Sequence, residues 1–126
     1  MKSMPTFKTI KIQKKKINVE IADTYMKRAF GLMLRKKGRM LFPFTIPLKY
    51  GIWMAFMLVP LDIIFADKNG KITNIVENAK PINFNPSTWK IFFSKGFCKY
   101  VVEVEAGFVK KNRIKVGQKI SGAARI

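Results

Sequence analysis

Histidine is missing from this sequence, cysteine occurs once, and only 7 residues are acidic. Without an imidazole the chain loses the commonest general base, the commonest metal ligand and every Ser-His or Cys-His nucleophile pair. Cys98 alone cannot form an intrachain disulfide or a cysteine-based zinc cluster, which fits a reducing compartment. Between Phe97 and Lys99 it reads as an inert packing residue. Long hydrophobic runs are also lacking. The longest uncharged stretch, Tyr50 to Leu61, contains Pro60 and falls short of the roughly 20 residues that a spanning helix needs. No apolar run of signal-peptide length follows Met1 to Phe7. There is no Gly-x-Ser-x-Gly elbow, phosphate-cradling Gly-Lys loop or dinucleotide fingerprint. These absences lead to the expectation of a cytoplasmic protein with no transmembrane segment, cofactor or metal, and more a binding protein than an enzyme.

What the sequence has in excess is positive charge. Lys and Arg number 25, giving a formal net charge of +18 and a pI near 10.4. Self-repulsion of that size is a cost that a polyanion neutralises, so nucleic acid or another anionic partner is expected. The competing reading is a merely basic surface. With 126 residues, 48% of them hydrophobic, the chain can bury a core by itself, and a single domain over residues 1–126 is expected.

Alternation in Ile10/Ile12 and Ile17/Val19/Ile21 predicts a hairpin with a basic turn. Asp23-Thr24 offers capping oxygens to a short amphipathic helix carrying Met26, Ala29, Phe30 and Met33 on one face and ending near Met33 or Leu34. Apolar strands are expected at Met40 to Phe44, Gly51 to Val59 and Leu61 to Ala66. Asp67-Lys68-Asn69-Gly70 predicts a tight turn into a returning strand, Lys71 to Glu77. Residues 78–96 read as a loop, and Tyr100/Val102/Val104 alternating with Glu103 and Glu105 as a half-buried strand. A helical turn within 107–113 and a last strand from Ile114 to Ile120 complete a mainly β fold: a compact antiparallel barrel-like or sandwich sheet with one or two short helices.

Two sets of candidate site residues follow. Lys14, Lys15 and Lys16 in one loop, with Arg35, Lys36, Lys37 and Arg39 in another, make a phosphate-binding patch if the loops converge, and two solvated loops if they do not. The second set is Trp53, Asp62, Glu77 and Asn78. Asp62 and Glu77 lie on adjacent predicted strands and form the one carboxylate pair with hydrolytic or cation-binding potential. The alternative is that Asp62 turns the backbone after Pro60. Trp53 and Phe56 are expected in the core and Trp89 at the surface. An apolar patch around residues 78–96 would instead mark a protein-interaction domain.

The order of motifs resembles a known family. Ala22-Asp23-Thr24, Arg28 to Met33, Met40-Leu41-Phe42, Trp53-Met54, Pro60 to Phe65, Ile75 to Ala79 and Tyr100 to Val104 follow one another as in the family catalogued as domain of unknown function 192, over about residues 17–120. The resemblance implies a compact, mainly β domain and supplies no agreed activity. It points to Trp53, Asp62, Glu77 and Asn78 as positions least explained by packing. The chain departs from the pattern at Ala55-Phe56, where many relatives carry Lys-Asn, and at Gln118, which stands in place of an acid.

Overall fold

The computed structural model describes residues 5–123, apart from the side chains of Tyr25, Met26 and Ala29. Met1 to Met4, and the Met26 and Ala29 positions of the expected helical face, therefore lie outside the described residues. Strand β1 (Phe7–Ile12) turns through Gln13 and Lys14 into β2 (Lys15–Ile21), the hairpin that the isoleucine spacing predicts. Helix α1 (Tyr25–Phe30) starts where Thr24 Oγ1 accepts a hydrogen bond from the Lys27 amide. It stops earlier than the apolar spacing suggests, because Gly31 takes a positive φ of 52° and turns the chain away.

Next come β3 (Met40–Leu48), β4 (Gly51–Trp53), β5 (Leu61–Ala66) and β6 (Ile72–Ala79). A 3-10 turn (Pro86–Thr88) precedes β7 (Ile91–Phe93), β8 (Cys98–Glu105), helix α2 (Phe108–Lys111) and β9 (Ile120–Ser121). The main sheet runs β6-β5-β8-β3-β2-β1-β9, curled into a half-barrel, while β4 and β7 pair separately. All pairings are antiparallel except β2 with β3.

Four expectations need correction. Only Gly51–Trp53 of the predicted strand to Val59 is extended; residues 54–59 fold into turns in which Phe56 has a φ of 60°, so Met54, Ala55 and Met57 plug inward. The final strand shortens to two residues because Gly117 and the side chain of Gln118 close a turn over 113–118. The 78–96 region holds β7 as well as loop. Strand β8 is buried on both faces along most of its length, not half-buried.

That double burial organises the core. Ile64, Ala66, Tyr100, Val102 and Val104 face the hollow of the curl with the isoleucines of β1 and β2. Ile63, Phe65, Val101, Met40 and Phe42 face the other way, beneath a cover made by Leu32, Met54, Met57 and the β4–β7 pair. Residues 117–121 join the sheet's two ends: Ile120 and Ser121 pair with β1, and the amides of Ile72 and Ile120 donate to the carbonyls of Gln118 and Gly70. Gly70 is required here, since a Cβ would stand 2.4 Å from the Ile120 carbonyl oxygen.

Candidate functional site

The four residues of the second candidate set do not share a site. Asp62 is fully buried, and its Oδ1 accepts from the Asn78 amide (2.8 Å) while Oδ2 accepts from the Gly107 (3.1 Å) and Val109 (3.0 Å) amides. Its carboxylate therefore pins the β6 end and the start of α2 to β5. Glu77 and Asn78 are exposed and line a separate cavity with Asn83, Asn85 and Lys90. Trp53 is 55% exposed, and Phe56 is also at the surface, contrary to the core expected for both. For Trp53 the reason is that β4 pairs only with β7 and no described residue covers the outer face of that ribbon; Phe56 lies in the turns of 54–59. Trp89 is exposed as expected, its indole N–H donating to the Asn83 carbonyl.

The two cationic loops approach each other. A cavity of about 620 Å³ has an apolar floor of Leu32, Met57, Val59 and Leu61, and Arg35, Lys36, Lys37 and Arg39 along its rim. An adjoining cavity is lined by Lys15, Lys16 and Lys111 and shares Arg39 and Glu105 with the first. Within this ridge Arg35 is held by Glu20 at 3.0 Å. Arg39 grips Glu105 through two hydrogen bonds and lies 4.7 Å from the centre of the Phe108 ring. The Arg39 hydrogen bonds hold the Glu105 carboxyl below its ordinary pKa. Lys15, Lys16, Lys36 and Lys37 are exposed and form no ion pair among the described residues. Lys14 sits exposed at the hairpin tip.

The residue that the alternation pattern hides is Glu103. It lies on the interior strand β8 between Met40 of β3 and Ile63 of β5, is only 5% exposed, and makes no side-chain hydrogen bond or ion pair among the described residues. Burial pushes its carboxyl up to about 7. No fully enclosed polar side-chain atom among the described residues lacks a partner, so Glu103 reaches solvent through the cleft of about 200 Å³ that it lines. Arg28, Gly31, Met33, Phe42, Ile52 and Trp53 line the same cleft. Gly31 lets the backbone pass close: a Cβ there would come to 3.1 Å from the Phe42 ring and 3.9 Å from Glu103 Oε1. One signal for this was readable, since Val101 beside Tyr100 and Val102 marks a strand covered on both faces.

Comparison with known proteins bears on the family and the overall fold. A UPF0127 protein of Pyrococcus abyssi is 36% identical over 105 residues, covering 81% of this chain and 83% of the relative. A UPF0127 protein of Pyrococcus horikoshii is 34% identical over 106 residues, covering 81% and 84%. A crystal structure from Sinorhizobium meliloti, provisionally named a transcription regulator, superposes with a TM-score of 0.88 at 28% identity, covering 98% of this chain and 99% of that one. A protein of unknown function from Novosphingobium aromaticivorans shares the fold with a TM-score of 0.81 at 24% identity, covering 94% and 93%. The family described as domain of unknown function 192, an uncharacterised group, matches residues 8–122, and this chain belongs to it.

Proposed function

We propose that this protein is a non-catalytic binding domain for a polyanion, nucleic acid in particular, engaged in single-stranded form along the Lys15–Lys16 and Arg35–Arg39 ridge. The observation that carries the reading is that the two cationic loops line adjoining cavities with Arg39 and Glu105 in common. Four lysines that form no ion pair among the described residues suit successive phosphates, and the apolar floor beneath them suits unstacked bases. Two further facts support it: the net charge of +18 and the provisional name of the Sinorhizobium structure. A non-catalytic role fits the missing histidine and the Asp62 carboxylate occupied by backbone amides.

Fluorescence anisotropy with labelled single-stranded and duplex oligonucleotides, repeated over a range of salt, tests the proposal. Single strands are expected to bind more tightly, with log affinity falling linearly in log salt. Each of Lys16→Ala and Lys37→Ala should lower that slope by about one. No binding at low salt, or binding indifferent to salt, would refute it.

A further inference from the structure

Glu103 presents a physical problem that the cationic ridge does not touch. A carboxyl on a residue only 5% exposed, with no protein hydrogen-bond partner among the described residues, takes its hydrogen bonds from whatever enters the cleft it lines. Its neighbours make the cleft specific. Arg28, Phe30, Gly31, Leu32, Met33, Phe42, Trp53 and Glu103 all line the cleft, and they come from four of the separate motifs that carry the family resemblance. Segments around residues 28–33, 42, 53 and 103 thus meet at one place, while no packing need requires a carboxyl there.

The chemistry of the cleft restricts its occupant. A cation is disfavoured by the net charge of +18 and by Arg28, which forms no ion pair among the described residues. Glu103, opening on the cleft, can accept hydrogen bonds from the N–H or O–H groups of an occupant in place of water. The rings of Phe42 and Trp53 and the thioethers of Met33 and Met57 suit a flat, polarisable body. A cleft of about 200 Å³ is smaller than the roughly 300–1,000 Å³ typical of drug-sized ligands and takes one ring system. Arg28 is placed to meet an anionic substituent.

We propose that the Glu103 cleft binds a nucleobase, its N–H edge on the Glu103 carboxyl, its face against Trp53 and Phe42, and its phosphate on Arg28. The base belongs to a free nucleotide or to a nucleic-acid strand, and the site stands or falls independently of the cationic ridge.

Trp53 provides the readout. In a Trp89→Phe background it is the sole tryptophan of the chain. Its emission is followed while guanosine, adenosine, cytidine, uridine, their 5′-monophosphates and a short single-stranded oligonucleotide are titrated in turn. At least one base is expected to give a saturable change. Glu103→Gln, which replaces one of the two acceptor oxygens by an N–H donor, should weaken that binding about tenfold, one buried hydrogen bond's worth of affinity. Arg28→Ala should weaken the monophosphate and spare the nucleoside. Saturation by nucleosides or mononucleotides assigns a free ligand, and response to the oligonucleotide alone assigns a base within a strand. Lys15→Glu with Lys16→Glu should abolish ridge binding and leave the nucleoside response intact, which keeps failure of one site distinguishable from failure of the other. Should Glu103→Gln not fold, the Glu103 carboxyl ¹³C resonance of the unaltered protein must move on addition of the base. The proposal is overturned if no base perturbs Trp53, if Glu103→Gln binds as the parent does, or if that resonance stays fixed.

Discussion

Asp62 on β5 and Glu103 on β8 are both buried carboxyls on neighbouring strands, and the fold treats them in opposite ways. Ile63 pairs with Glu103, so Asp62, one residue earlier, points to the other face of the sheet. There it receives three backbone amides. Glu103 receives none among the described residues and faces a cleft. The first is a fastener: its two oxygens complete hydrogen bonds that a turn and a helix start would otherwise lack. The second is a cost to the fold whenever it is ionised, which is the energetic profile of a site and not of a strut.

The sharpest way to break this contrast is Asp62→Ala. Removing an acceptor shared by three amides should destabilise the protein by about 4 kcal/mol, read from urea denaturation. A loss below about 1 kcal/mol would mean that the amides find other partners and that Asp62 fastens nothing.

Glu103→Gln should act with the reverse sign and only in one pH range. The unfolded carboxyl titrates near 4.5 and the folded one near 7, so between those values the native state holds the extra proton. Stability of the parent is therefore full below about pH 4.5 and declines as pH rises through 7, by about 3 kcal/mol in total. The glutamine variant should match the parent at pH 4 and exceed it at pH 8. Identical stability curves at all pH values would show that Glu103 pays no desolvation penalty.

Glu105, two residues on and exposed beside Arg39, supplies the smallest effect and a second pH signature. Its pKa is depressed by the Arg39 hydrogen bonds, so its contribution is present above the ordinary carboxylate value and lost on acidification through the folded one. Discounted for solvent screening, Glu105→Gln should cost at most about 1 kcal/mol near neutrality and nothing in acid. The same change removes a negative charge from the ridge and should tighten oligonucleotide binding. Weaker binding would place the anion elsewhere.

Local chemistry made much of the fold legible. Alternating isoleucines gave the β1–β2 hairpin, Thr24 the start of α1, and Asp67 to Gly70 the turn before β6, where Asp67 Oδ1 accepts from the Asn69 and Lys71 amides. The cationic loops were legible as charge, but the place of Arg39 between them depends on Glu105 and Phe108, far along the chain. Glu103 was not legible as a site, because Glu103 and Glu105 look equivalent in a strand until the cover over one of them is known. That cover comes from residues 31–33 and 52–57, which no local pattern connects to β8. Trp53 was misplaced for the complementary reason: an apolar run signals burial only if something lies on both its faces.

The segment 117–121, bonded to β1 at one end of the sheet and to the β6 turn at the other, carries a consequence for how the chain matures. During synthesis β1 and β6 are present before it emerges, so both present open hydrogen-bonding edges to any neighbouring strand. This segment closes one corner of the sheet, meeting Lys11 and Ile12 of β1 and Ile72 of β6, and the close pass over Gly70 leaves no room for a side chain there. Closure of that corner therefore follows the synthesis of both strands it joins, and it depends on one glycine.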